Sequence, residues 1–315
     1  MIVGIDVSKK SFDVCWVEAG QVVHKHYEYT ETGMRALLAD TPEQAHYVME
    51  ATGVYHSRLA LYLYQSDRAV SVVNPLVIKR FGQMKLRRAK TDRADAQLIC
   101  QYGEAHSPKR WQPTSQVIQE LMQAHSWLDD LIRERTRLMN RREALMHQGH
   151  VNPFVEEQMK KQSSHLNDQI TNCEQHLEQV VKKHFALLYE RLISIHSIGP
   201  KTALELILVT AGFTRFEHVK TLSAYTGLSP TTYQSGTSIQ GPGHIAKLGQ
   251  GRLRQLLYMC SWTARRRNAA CAKLYKRLHA AGKPAKVISI AIANKLLRQA
   301  YAVATKNEMY SEKYA

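Results

Sequence analysis

Ile2-Val3-Gly4-Ile5-Asp6-Val7 is an apolar run with a single carboxylate inside it. The run predicts a strand, and the carboxylate is its anomaly, because an unpaired charge among apolar residues is costly. Working outward, strands are expected at 12–18 and 21–29, then a helix near Gly33 to Leu38. A strand Ala45-His46-Tyr47-Val48-Met49-Glu50 follows, then a helix near 55–65 and a strand Ala69-Val70-Ser71-Val72-Val73. Helices near 75–83 and 92–104 complete this region.

Three strands in sequence followed by alternating helix and strand match an α/β, RNase H-like sheet with mixed pairing. Open α/β sheets gather active residues at the carboxyl ends of strands. Glu50 ends its strand just before Ala51-Thr52-Gly53, and Asp92 and Asp95 open the helix Lys90-Thr91-Asp92-Arg93-Ala94-Asp95-Ala96. Residues three apart on a helix share a face, so these two can point at one spot. Asp6, Glu50, Asp92 and Asp95 can thus converge on two divalent cations. Such a pair, about 4 Å apart, stabilises the attacking and leaving oxygens of a phosphoryl transfer. Magnesium fits best, as a hard cation held by a few carboxylates plus substrate phosphate. Singly, each acid has a simpler reading: Asp92 and Asp95 complement a helix dipole, and Glu50 is a solvated strand end. Taken together, the four favour the metal.

The net charge of +16 is unevenly placed. Between Glu217 and Glu308 there are fifteen Lys and Arg and no acid, which leaves the rest of the chain near neutral. A one-signed segment of folded-looking sequence is the footprint of a polyanion partner, whereas an ordinary soluble surface mixes both signs. Arg252, Arg254, the cluster Arg265-Arg266-Arg267 and Lys247 are the candidate nucleic-acid contacts there, with Lys201 upstream. Cys15, Cys100, Cys173, Cys260 and Cys271 form no CxxC pair or zinc spacing, which fits reduced thiols in the cytoplasm. No apolar run approaches the ~20 residues of a membrane span, and the N-terminus carries no secretory signal.

The middle changes character. Leu121, Leu128, Leu131, Leu138 and Leu145 recur at heptad-type spacing, and Leu166, Cys173, Val180 and Leu187 form a second row with Ile170, Leu177 and His184. Gly149 and Asn152-Pro153 separate the rows. The pattern is an antiparallel hairpin or a coiled coil with another subunit, the latter favoured. Ile195-His196-Ser197-Ile198-Gly199-Pro200-Lys201 reads as a helix-hairpin-helix turn, with Gly199 making the turn and Pro200 starting a helix whose free amides can hold phosphate. A Gly/Ser/Thr/Pro-rich stretch, Ser229 to Gly249, reads as a flexible loop, followed by basic helices at 250–280 and 284–305.

Gly4-Ile5-Asp6, Met49-Glu50-Ala51-Thr52-Gly53, Asn74-Pro75, Lys90-Thr91-Asp92-Arg93-Ala94-Asp95-Ala96, Ile198-Gly199-Pro200-Lys201-Thr202, Gly227-Leu228-Ser229-Pro230 and Ser235-Gly236 together resemble the DEDD insertion-sequence transposases. These are bridge-RNA-guided recombinases related to Piv-type DNA invertases. The resemblance covers almost the whole chain and keeps motif order. It implies a RuvC-like domain over 1–110, a coiled-coil connector over 111–190 and a basic, mostly helical transposase domain over 191–315. It further implies that Ser235 attacks DNA to form a covalent phosphoserine, with donor and target DNA and a structured guide RNA as partners. The expected assembly is a homo-oligomer with composite sites, in the cytoplasm at the nucleoid.

A serine hydroxyl is a poor nucleophile until a base or metal activates it. Each arm of the helical middle, near 30 residues, is about 45 Å long at ~1.5 Å per residue, so sites within a chain and between subunits are both open. Two other classes compete. Gly4-Ile5-Asp6-Val7-Ser8 faintly resembles the first phosphate motif of sugar kinases, but no Gly-rich adenosine loop follows. A RuvC-like junction nuclease or an unguided invertase would keep the acids without the guide RNA, and the nuclease also without Ser235 chemistry.

Overall fold

The computed structural model describes residues 1–87, 91–235, 239–245 and 249–312, with 231–235 and 239–244 described by backbone alone. The chain divides into two units, Met1–Pro113 and Thr114–Ala315. The first contains β1 (Ile2–Val7), β2 (Ser11–Glu18), β3 (Gln21–Glu28), α1 (Glu31–Asp40), β4 (His46–Glu50), α2 (Tyr55–Gln65), β5 (Ala69–Val73), α3 (Pro75–Met84) and α4 (Asp92–His106). Its five strands lie in the order β3-β2-β1-β4-β5. β1, β2 and β3 pair antiparallel, while β4 runs parallel to both β1 and β5.

Strand side chains alternate between faces, and here the alternation decides what covers each face. Val3, Ile5, Val7, Phe12, Val14 and Trp16 point one way and are buried with Met34 and Leu37 of α1 and Leu59 and Leu63 of α2. Gly4 and Cys15 point the other way, against α4. A Cβ at Gly4 would lie 2.3 Å from the Cys100 backbone nitrogen and 2.4 Å from the Ala96 carbonyl oxygen. Only glycine lets the helix come this close. Gly4→Ala is therefore expected to lift α4 off the sheet at a cost of about 3 kcal/mol or more. Thermal denaturation reads this, and an unchanged melting temperature would contradict the packing.

Helix starts follow from local caps. The Thr30 side chain accepts from the Gly33 amide, and Asn74 caps α3 with Pro75 in its first turn. Thr91 Oγ1 accepts from the Ala94 amide at 3.3 Å and so opens α4 with Asp92 and Asp95 in its first turn. Just past the end of α3, Leu86 is left-handed at φ 52°, after which the Arg87 amide donates to the Gly82 carbonyl at 3.2 Å. This closure terminates the helix and fixes where Arg87 leaves it.

The second unit contains α5 (Gln116–Met146), α6 (Pro153–Ile193), α7 (Pro200–Thr210), α8 (Val219–Tyr225), β6 (Pro230–Ser235), β7 (Ile239–Ile245), α9 (Gly251–Arg267), α10 (Ala269–Ala280) and α11 (Ala285–Lys306). Cys173 meets Ala124, Asn167 meets Arg135 and Glu156 meets Arg142, so α5 and α6 pair antiparallel within the chain. Leu121, Leu128, Leu131, Leu166, Ile170, Leu177 and Val181 fill the seam, and their core continues through α7, α9 and α11. Leu187, expected in the second row, is 66% exposed. Phe185 leaves helical geometry (φ −132°, ψ 26°), and this break resets the register beyond it.

Three other expectations change. The stretch expected as a loop from Ser229 carries the antiparallel hairpin β6–β7, with Pro230 opposite Ile245 and Ser235 opposite Ile239. The basic helix expected over 250–280 breaks at buried Asn268, whose Oδ1 caps α10 through the Cys271 amide at 3.1 Å. In the turn before α7, the left-handed residue is Ser197 (φ 88°), whereas Gly199 caps the helix at φ −94°.

Candidate active site

β1 and β4 lie side by side with Ile5 beside Met49, so Asp6 and Glu50 sit at the carboxyl ends of adjacent parallel strands. Both are in phase with Gly4 and Val48, on the face covered by α4. α4 runs against the strand direction. A Cβ on Gly103 would lie 2.6 Å from Ile2 Cγ2 and 2.9 Å from Val48 Cγ2, while Ala96 and Cys100 stand over Gly4. Following the helix one further turn toward its start brings Asp95 and Asp92 over the strand ends. A close-packed glycine, a parallel strand pair and a threonine cap thus bring the four acids together.

Their charges meet at Asp6. Burial first, then the negative charges of Asp95, Asp92, Glu50 and Asp13, push its carboxyl from 3.8 up to about 6. Asp13 is an addition to the expected site residues. It lies directly opposite Asp6 in the β1–β2 ladder, and its carboxylate is 3.1 Å from His26 Nδ1. The hairpin register would have revealed it, since opposed residues share a face. Arg87 is a second addition. Its Nη1 donates to Asp95 Oδ1 at 2.5 Å, with the side chains only 19% and 25% exposed. Nothing in the run Lys85-Leu86-Arg87-Arg88 distinguishes this arginine from its neighbours.

Among the described residues, no group of three or more His, Cys, Asp or Glu stands close enough together to hold a metal ion as placed. The donor chemistry nonetheless fits a hard divalent cation. The donors are carboxylate oxygens, their summed charge is negative, and a bound cation would relieve the repulsion that lifts Asp6. The positive end of α4 at Asp92 and Asp95 adds favourable potential for the acids themselves.

Ser235 is the last residue of β6, in the second unit. The candidate nucleic-acid contacts fall into groups. Arg265, Arg266 and Arg267 form the last turn of α9 and are exposed. Arg254 donates to the Thr226 carbonyl at 3.3 Å. Lys201 pairs with Glu174 at 2.6 Å. Arg252 reaches Asp129 at 2.5 Å and Glu205 at 3.3 Å, and Glu205 also pairs with His125 at 2.9 Å. With Glu205 5% exposed, this network ties α5 to α7 and α9. Lys247 lies outside the described residues. The five cysteines are free, and no helix among the described residues is long and apolar enough to cross a membrane.

Known proteins are similar in sequence to the chain along nearly its whole length. A DEDD transposase model matches residues 3–151, and a model described as the transposase IS116/IS110/IS902 family matches residues 189–276. The pilin gene-inverting proteins of Moraxella lacunata and Moraxella bovis are each 32% identical to the chain, over 99% of it and 98% of their own length. The transposase for insertion sequence element IS1328 of Yersinia enterocolitica is 23% identical over 99% of the chain and 98% of its own. The chain belongs to the IS110 family of transposases, and it is a DNA recombination and transposition enzyme.

Proposed function

We propose that the protein cuts and exchanges DNA strands in a magnesium-dependent reaction that passes through a covalent 5′-phosphoserine at Ser235. The observation that carries this reading is the convergence of Asp6, Glu50, Asp92 and Asp95 on one face at the strand ends. The strand order, with three antiparallel strands continued by two parallel ones, supports an RNase H-like, RuvC-like domain. Asp6, Glu50, Asp92 and Asp95 would hold Mg²⁺, with two ions as the expected number, and Arg87 would orient Asp95. Bound magnesium would polarise the scissile phosphate and stabilise the departing oxygen.

In the reaction the Ser235 Oγ–P bond forms as the bond from phosphorus to the 3′ oxygen breaks, leaving a free 3′-hydroxyl. One phosphodiester replaces another, so rejoining needs no ATP. The acids belong to the first unit and Ser235 to the second, linked through the α5–α6 hairpin. We assign the site to a homo-oligomer in which one subunit's acids work with another's serine, and the family resemblance supports this. The same resemblance supports a structured guide RNA from the element that pairs with donor and target DNA, in the cytoplasm. A second reading, inversion of a DNA segment without a guide, is favoured by the names of the two Moraxella relatives. Sequencing the RNA that copurifies with the protein, together with the DNA junctions it makes, separates the two. One enriched structured RNA matching the junctions supports the first, and junctions formed without RNA support the second.

Exposed Arg265, Arg266 and Arg267 are assigned to the DNA phosphates. Affinity for duplex DNA is expected to fall steeply with salt, and replacing all three by glutamine to flatten the log–log slope by about 0.9 for each phosphate no longer neutralised. An unchanged slope would place the cluster away from DNA.

A further inference from the structure

α11 carries apolar side chains on two faces. Ile288, Ile292, Leu296 and Val303 are in the core of the unit. Val287, Ile290 and Ala291 form a second stripe that lines a groove of about 740 Å³, and Val287 is 52% exposed. A surface helix ordinarily keeps one apolar face and solvates the other, so the second stripe calls for a partner. Tyr258 of α9 and Leu274 of α10 also line it. Pro230 and Ile245, which pair at the open end of the β6–β7 hairpin, line it as well. Lys286, Lys295 and Arg298 line it too, Lys286 and Arg298 being exposed, and none has an acidic partner among the described residues.

A mostly apolar lining that carries three cations fits a partner that is itself apolar and anionic. Duplex DNA is a poor match, because its bases are stacked inside and only phosphates and groove edges face the protein. An unpaired nucleotide presents a base face and a phosphate together, and base faces stack on aromatic rings regardless of sequence. We propose that this groove holds unpaired DNA nucleotides, with bases against Tyr258, Val287 and Ile290 and phosphates at Lys286, Lys295 and Arg298. DNA is chosen because the family acts on it, and because strand exchange must expose unpaired DNA beside the cut. This deepens the Ser235 reading and rests on it for location. Pro230 is five strand positions before Ser235, roughly 16 Å at ~3.3 Å per residue, so the groove would hold nucleotides close to the cleaved phosphate.

The test is binding of the full-length protein, in EDTA so that no cleavage is required, to a duplex with a short unpaired DNA stretch and to the same duplex fully paired. Fluorescence anisotropy reads both. Wild type is expected to prefer the unpaired substrate, and Tyr258→Ala to lose that preference by about tenfold with paired affinity kept. Ala291→Leu, which fills the groove and leaves Tyr258 in place, is expected to do the same and guards against a folding defect in the first variant. Lys286→Gln with Arg298→Gln is expected to lower the salt slope on single strands by about 1.4. Equal losses on paired and unpaired DNA, or an undiminished preference, would overturn the proposal. So would tighter binding of an unpaired RNA stretch than of the DNA one, or a changed sedimentation of the protein alone on filling the groove, which would give the groove to a second copy. Because binding is read without catalysis, failure of the serine chemistry leaves this result interpretable.

Discussion

Asp6→Asn is expected to abolish strand cleavage and, at the same time, to stabilise the metal-free protein. The loss follows from replacing a hard anionic ligand by a weak amide ligand. Metal contributes several kcal/mol to such a transition state, so the rate should fall by about a thousandfold or more. The gain in stability follows from Asp6 itself, whose carboxyl is pushed up to about 6 by burial and by Asp95, Asp92, Glu50 and Asp13. A carboxyl raised on folding binds more protons native than unfolded, so its presence lowers stability as pH climbs from its ordinary value near 4 to 6, and the penalty is complete above that. The variant lacks this penalty. Its advantage in melting temperature should be small near pH 4 and full near pH 7, with a ceiling of roughly 3 kcal/mol that partial exposure of Asp6 reduces. Adding magnesium at pH 7 should stabilise wild type and leave Asp6→Asn nearly unmoved. A variant that cleaves normally, or one that gains as much from magnesium as wild type, would remove Asp6 from the site. Glu50→Gln, Asp92→Asn and Asp95→Asn should share the loss of cleavage.

Ser235→Ala should yield no protein–DNA adduct at all, since alanine has no oxygen to attack phosphorus. Thr237→Ala and Ser238→Ala are the hydroxyl-bearing controls and should keep the adduct. If acids and serine come from different subunits, mixing Ser235→Ala with Asp6→Asn should restore part of the cleavage, because some sites then combine an intact serine with intact acids. Denaturing gels of labelled DNA, with the proteins alone and mixed after subunit exchange, read all of this. Wild-type adduct without any from the exchanged mixture would place the whole site within one chain.

The first unit is legible in the sequence because its signals are local. The polar–apolar alternation Ser11-Phe12-Asp13-Val14 that opens β2, the apolar run of β1, the Asn74-Pro75 start of α3 and the Thr91 cap of α4 each fix an element within a few residues. The four acids can be named because each sits at such an element's end. Asp13 follows only once the register of the β1–β2 hairpin is fixed, and Arg87 does not follow at all, because the closure of α3 sets where it leaves the helix. In the second unit, Leu187 falls outside the seam because a heptad row assumes an unbroken helix, and α6 breaks at Phe185. The β6–β7 hairpin reads as a loop because its Gly, Ser, Thr and Pro content masks strand periodicity. Arg252 looks like its basic neighbours, yet Asp129 and Glu205, contributed by distant helices, meet its charge.

The most direct test of the proposed reaction is to map the covalent bond. Wild-type protein is incubated with DNA and magnesium, with guide RNA supplied, then digested with nuclease and protease, and the peptides are weighed by mass spectrometry. The peptide containing Ser235 should carry a nucleotide remnant in magnesium, and none in EDTA or with Asp6→Asn. DNA cut to free 5′-phosphate ends with no remnant on Ser235, or a remnant on another residue, would contradict the account.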